Sequence, residues 1–211
     1  MDYWDDRFRR EGKIWGDAPS ITVDIALRYF TVNNIHDVLV PGSGYGRNTE
    51  FFAKLGFNVF GIESSEIAYE MAERINREKG LTIKYMLGDV LEMSYDNESF
   101  EGVYCFNTLH LFMRRERQIF IDNVHRVLKK RGIAIFTVFS DEDPSFGKGK
   151  KVDANTFESK KGRPAHYFTV DDLNKQFSNF LILENSTVKE VENHGGGLHT
   201  HFLRLIVIKK V

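Results

Sequence analysis

The chain lacks the features that would place it outside the cell or within a membrane. Its single cysteine, Cys105, rules out an intrachain disulfide, so no oxidising compartment is required. No apolar run approaches the roughly 18–20 residues needed to cross a bilayer. Residues Met1–Arg10 mix Asp, Arg and aromatic side chains and have no apolar centre of the kind a secretory signal carries. Cytoplasmic residence is the expectation, with no membrane partner. An excess of one charge is missing too: 29 Lys and Arg stand against 30 Asp and Glu, a formal net charge of −1. A nucleic-acid-binding domain is expected to be basic, so no nucleic-acid partner is expected either. There is no internal repeat and no sign of a second domain, so residues 1–211 are read as one.

What is present is an ordinary globular composition over 211 residues, 42% hydrophobic and 28% charged, enough for one full core. After a polar, aromatic opening of about 34 residues, strand and helix patterns alternate. Ile35–Pro41 reads as a strand and 48–55 as a helix with Phe51, Phe52 and Leu55 on its apolar face. Asn58–Glu63 is a second strand, followed by Ser64 and Ser65 as candidate N-caps of a helix ending at Gly80. Strands over 82–87, 101–107 and 133–139 follow, with a helix over 114–130 between the last two. This order predicts parallel strands joined by right-handed crossovers. The last third differs. Residues 141–166 read as a long polar loop or lid, 169–180 as a short helix, and 181–192 with 198–210 as two strands joined so closely that they must run antiparallel.

Chemistry concentrates at Pro41-Gly42-Ser43-Gly44-Tyr45-Gly46-Arg47, between a strand and a helix. Bare glycines there let a ligand approach the backbone, and the helix start offers free N–H groups. The dinucleotide fingerprint would need a third glycine where Arg47 stands. Glu63 closes the second strand, where an acidic residue accepts hydrogen bonds from both hydroxyls of a ribose.

These residues, with Gly88-Asp89 and Phe100-Glu101-Gly102-Val103, resemble the class I methyltransferases that use S-adenosyl-L-methionine, over roughly residues 35–140. Tyr3-Trp4-Asp5-Asp6-Arg7-Phe8, Trp15 and the terminal hairpin make the chain similar to the small-molecule branch, which includes tellurite-resistance and thiopurine methyltransferases. The resemblance implies a Rossmann-like, doubly wound, seven-stranded sheet, mostly parallel with an antiparallel C-terminal hairpin strand. It implies S-adenosyl-L-methionine as cofactor, held by Gly42, Ser43 and Gly44 at the methionine moiety and by Glu63 and Ser64 at the ribose. Asp89 and Val90 would meet the adenine, and Asn107 would border the donor. The family often carries an acidic residue two positions before the first glycine; here Val40 stands there, so contacts to the methionine amine fall to backbone carbonyls. The N-terminal segment would act as a lid, with Arg7 on the methionine carboxylate and Trp15 or Trp4 facing the sulfonium.

On the acceptor side, His110 is the candidate to take a proton from the substrate. His194, His199 and His201 surround the hairpin turn, but no metal site is expected, since no cysteine or well-spaced carboxylate completes one. Lys148, Lys150, Lys151, Lys160, Lys161 and Arg163 make the 147–163 segment basic, which suits an anionic acceptor. The expected activity is methyl transfer to a small molecule by in-line displacement, from a monomer or homodimer. A non-catalytic S-adenosylmethionine-binding protein and an NAD-dependent oxidoreductase are the alternatives.

Overall fold

The computed structural model describes residues 3–194 and 196–211, and of His194 only the backbone. Two helices come first, α1 (Tyr3–Glu11) and α2 (Val23–Val32). Then alternate β1 (Asp37–Pro41), α3 (Arg47–Lys54), β2 (Asn58–Glu63), α4 (Glu66–Glu78), β3 (Lys84–Leu87), β4 (Phe100–Phe106), α5 (Arg114–Val127) and β5 (Leu128–Phe139). A small insert of β6 (Lys150–Asp153), β7 (Thr156–Lys160) and β8 (Arg163–His166) precedes α6 (Val170–Gln176), β9 (Leu181–His194) and β10 (Gly197–Lys209).

The main sheet runs in the order β3-β2-β1-β4-β5-β10-β9. Strands β1 to β5 are parallel, and β10 enters antiparallel between β5 and β9. The sheet is therefore seven-stranded and mostly parallel, with one reversed strand from the C-terminal hairpin. In β5, Ile133 to Val138 are all buried, as a strand covered on both faces must be. Alternate side chains sort to two cores. Leu39, Val103, Ala134 and Phe136 meet Phe120 and Val124 of α5 and Leu173 of α6. Val38, Val40, Ile133 and Ile135 meet Phe30 of α2 and Phe52 of α3.

The chain before β1 is tied down by polar contacts as well as apolar ones. The fully buried Tyr104 hydroxyl lies 2.5 Å from Ser20 Oγ and 2.7 Å from Thr22 Oγ1. Tyr104→Phe takes Ser20 Oγ's partner away and leaves Thr22 Oγ1 with Thr137 Oγ1 at 3.2 Å, and a loss of about 1–3 kcal/mol is expected in urea unfolding. A variant as stable as the parent would show that these hydroxyls bond elsewhere.

Two expectations are corrected. The helix expected over 114–130 stops at Val127, because Leu128 pairs with Phe100 and starts β5, so that Gly132 lies inside a strand. Strand pairing outweighs the helical spacing of Val124, Val127 and Leu128. The segment expected as a polar loop over 141–166 folds its second half into an antiparallel three-stranded sheet, β6-β7-β8. Its turns use Asn155 (φ 49°) and Gly162 (φ 76°), and Thr156, Ala165 and His166 are buried. Lysines on the outer face hide the strand signal.

Candidate active site

All three glycines of the turn after β1 take left-handed backbone angles: Gly42 φ 64°, Gly44 φ 56° and Gly46 φ 96°. A Cβ at Gly42 would sit 2.4 Å from Thr108 Oγ1, so the turns after β1 and β4 interlock there. A Cβ at Gly44 would meet only Phe8 Cζ at 3.9 Å, leaving open space beside the backbone. The N–H groups of Gly42 and Ser43 donate to Ile62 O, at 2.8 and 3.1 Å, fixing the turn to the end of β2.

Glu63 ends β2 and is buried, 7% exposed. Its Oε2 accepts from Gly44 N at 2.7 Å and its Oε1 from Ser65 N at 2.9 Å. The carboxylate thus faces the glycine turn. Ser65, not Ser64, caps α4, accepting from Ala68 N at 3.2 Å, and Ser64 is exposed. Glu63 pairs with Leu87 across β2 and β3, so Asp89 stands on the neighbouring strand end. Asp89 is exposed and accepts from Leu91 N at 2.8 Å, while Val90 beside it is buried. Asn107 follows β4 with φ 53°, a conformation Asn tolerates better than most residues. Among the described residues, Asn107 Oδ1 and Ser43 Oγ are buried without a hydrogen-bond partner. Two orphaned polar atoms beside open glycine backbone are the mark of a crevice shaped for a polar ligand.

The N-terminal segment covers this crevice. Asp5 Oδ1 accepts from Ser65 Oγ at 2.6 Å, which seats α1 on the start of α4. Trp15 N donates to Tyr45 Oη at 3.0 Å, Tyr45 donates to Gly16 O at 2.8 Å, and the two rings stack. Burial pushes the Tyr45 hydroxyl up to about 12, so it stays a neutral donor. The buried Arg7 guanidinium lies 5.8 Å from the Trp4 ring and 5.5 Å from that of Trp15, with its Nε 3.3 Å from Glu11. Arg47 sits 5.7 Å from Trp15 and 5.4 Å from Phe106, and its terminal nitrogen meets Glu192 at 2.6 Å.

Beyond the ends of β4 and β5 lies an aromatic wall built on Phe139. The His110 ring stacks on it at 4.0 Å, and Tyr167 and His201 lie near-parallel to it at 5.6 and 5.3 Å. His110 is 1% exposed, and burial holds its imidazole well below its ordinary range, so it is neutral. Its Nδ1 accepts from Phe139 N at 3.4 Å, which puts the ring proton on Nε2. Of the six basic residues in 147–163, the five lysines are exposed. Only Arg163 turns inward, 5.8 Å from the Tyr3 ring and 5.5 Å from that of Trp4, with Nε buried and without a hydrogen-bond partner among the described residues.

Several residues here escaped the sequence. Asp143, buried behind β5, accepts from His201 Nδ1 at 3.1 Å. Glu190 and Glu192 lie directly across the hairpin from His201 and His199. Their i, i+2 spacing on a strand was the available signal, but polar alternation reads equally as a solvated face. The side chain of His194 lies outside the described residues. Among those described, no group of three or more His, Cys, Asp or Glu is arranged to hold a metal ion. Nor is any described helix long and apolar enough to cross a membrane.

Residues 38–132 match the family model described as a methyltransferase domain. The comparison with curated proteins finds no match. Among solved structures, one from work on converting a disulfide bond into a thioacetal group during echinomycin biosynthesis has a TM-score of 0.79 at 20% identity, covering 98% of this chain and 91% of that one. The 1,6-didemethyltoxoflavin-N1-methyltransferase of Burkholderia thailandensis, with bound 1,6-didemethyltoxoflavin and S-adenosylhomocysteine, scores 0.75 at 18% identity, covering 98% and 84%. An S-adenosylmethionine-dependent methyltransferase of Methanosarcina mazei scores 0.72 at 20% identity, covering 86% and 97%. Residues 38–132 thus resemble a methyltransferase domain, and the chain has the Rossmann-like fold seen in solved S-adenosylmethionine-dependent methyltransferases.

Proposed function

We propose that the protein binds S-adenosylmethionine in the crevice between Glu63 and the glycine turn and passes its methyl group to a small, anionic acceptor. The observation that carries this is the buried Glu63 carboxylate 2.7 Å from Gly44 N, beside orphaned Ser43 Oγ and Asn107 Oδ1. When bound, S-adenosylmethionine supplies a methyl group already activated by the positive charge on its sulfur. The protein's task is then to align an acceptor opposite that sulfur, and positioning of this kind is a large catalytic effect.

Glu63 accepts from the ribose hydroxyls, with Ser64 at the same edge, and Asp89 and the Val90 N–H read the adenine. Gly42 and Gly44 give the methionine moiety room, and Ser43 and Asn107 satisfy their orphaned oxygens on its polar groups. Val40 is buried and apolar, so backbone carbonyls meet the amine. Arg7 supplies charge for the carboxylate, and Trp15 offers a ring face to the sulfonium. On the acceptor side, neutral His110 donates a hydrogen bond rather than taking a proton, since its Nδ1 is already engaged. Arg163, turned inward under the lid and short of a partner at Nε, suits an anion. The Burkholderia enzyme named for methylating 1,6-didemethyltoxoflavin supports a small-molecule acceptor.

Arg47, where a dinucleotide site needs its third glycine, is committed to Glu192, which counts against NAD. Calorimetry is expected to show saturable binding of S-adenosylmethionine and S-adenosylhomocysteine and none of NADH. Label from methyl-labelled S-adenosylmethionine should then pass to one member of a metabolite panel. Binding of NADH without S-adenosylmethionine would overturn the proposal, and donor binding without transfer to any member would favour a non-catalytic binding protein.

A further inference from the structure

We propose that His201, oriented by Asp143, takes the proton from the acceptor, so that the pocket selects weak acids such as phenols, thiols or heteroaromatic N–H groups. This rests on the functional reading above and adds the group that moves the proton.

The geometry is that of an oriented base. Asp143 is buried behind the end of β5, its side chain 1% exposed, and is held by four donors. Its Oδ2 accepts from His201 Nδ1 at 3.1 Å and Phe202 N at 2.9 Å, and its Oδ1 accepts from Ser145 N at 2.8 Å and from Ser145 Oγ. A carboxylate fixed in this way holds the imidazole in one orientation and fixes its Nδ1–H tautomer, which leaves Nε2 as the basic nitrogen. His201 precedes by two residues Leu203, the partner of Phe139. It therefore projects past the carboxyl end of β5, the side on which open α/β sheets bind ligands. It shares the Phe139 wall with His110, but the two histidines have opposite environments.

Burial, helped by Arg163 and His201, keeps His110 neutral and below its ordinary range. The hydrogen bond to Asp143 raises His201 above its own, against burial and with help from Glu190 and Glu192. Hydrogen bonds from His201 and Ser145 hold Asp143 low even though burial opposes them. Among the described residues, the charged and titratable groups facing His201 include Asp143, Glu190 and Glu192, with His199 stacked at 6.4 Å and His110 beyond Phe139. Two titratable groups whose environments push them apart divide the roles of donor and base.

In the step itself the acceptor X–H bond breaks and its proton goes to His201 Nε2. The electron pair left on X forms the bond to the methyl carbon, and the carbon–sulfur pair leaves with sulfur. The products are methylated X and S-adenosylhomocysteine, and His201 then returns its proton to solvent.

The test needs no natural acceptor. 4-Nitrophenol and 7-hydroxycoumarin are weak acids whose anions are read by absorbance and fluorescence. Titrated from pH 6 to pH 9 on protein saturated with S-adenosylhomocysteine, at least one probe is expected to ionise with a midpoint about one pH unit below that in buffer. His201→Gln should abolish this while S-adenosylhomocysteine affinity stays within twofold by calorimetry. Asp143→Asn should lower the His201 ring titration, followed by NMR. Ionisation that survives His201→Gln, or no added ionisation in protein that binds S-adenosylhomocysteine, overturns the proposal. Failure to bind S-adenosylhomocysteine at all would instead overturn the reading beneath it. If Asp143→Asn does not fold, His201→Gln alone decides the question.

Discussion

Alanine at Glu63 is expected to weaken S-adenosylmethionine binding at least tenfold, a cost of about 1.4 kcal/mol or more. The change removes an acceptor for the ribose and also strips Gly44 N and Ser65 N of their partner, loosening the glycine turn and the start of α4. Glu63→Gln separates the two effects. The amide retains one acceptor oxygen but adds a donor where ribose hydroxyls must donate, so intermediate affinity is expected. Asp89→Ala provides an independent check at the adenine end. Its side chain is exposed and caps only the short turn at Leu91, so loss of affinity there does not report unfolding. Calorimetry measures each variant, with thermal unfolding as control. Parental affinity in both alanine variants would remove the proposed cofactor site.

Glutamine at Glu190 is expected to stabilise the protein, and only in neutral and alkaline solution. Glu190 is 5% exposed, with Oε1 accepting from Ile21 N at 3.4 Å and Oε2 buried without a hydrogen-bond partner among the described residues. Burial, reinforced by the nearby Glu192, pushes its carboxyl from 4.5 up to about 7. The folded state therefore holds a proton that the unfolded chain has already released. Stability from this group is full below about pH 4.5, falls as pH rises toward 7 and stays lost above it. The difference is about 3 kcal/mol. Gln cannot ionise, so Glu190→Gln should gain about 2–3 kcal/mol over the parent at pH 8 and almost nothing at pH 4.5. Urea unfolding at the two pH values measures this, and parallel pH profiles for the two proteins would refute it.

The difference between Glu63 and Glu190 explains what was legible in the sequence. Glu63 closes an apolar strand, and its place at that strand end follows from local pattern. The same holds for the β1–α3–β2–α4 order, for the terminal hairpin and for Thr169, which caps α6 by accepting from Asp172 N at 3.0 Å. Glu190, Asp143 and Arg163 become informative only through tertiary contacts. Asp143 lies 58 positions from His201, and nothing local marks it apart from Asp141 or Glu142. Arg163 is one of six basic residues in a polar stretch, and only the β7–β8 turn decides that it alone faces inward. The β6-β7-β8 insert was missed for a related reason: short strands bearing lysine on one side lack the apolar run that marks a buried strand. His110 stands out by position, but the donor role proposed for it requires knowing which ring nitrogen Phe139 N occupies.

The bridge between Arg47 and Glu192 joins the first residue of α3 to the far strand of the hairpin. Its two ends belong to different halves of the cleft, one beside the glycines and the other beside the histidines. Removing either partner would strand a charge whose side chain is no more than 10% exposed. If occupancy of one half alters affinity in the other through this tie, the effect must be equal in both directions.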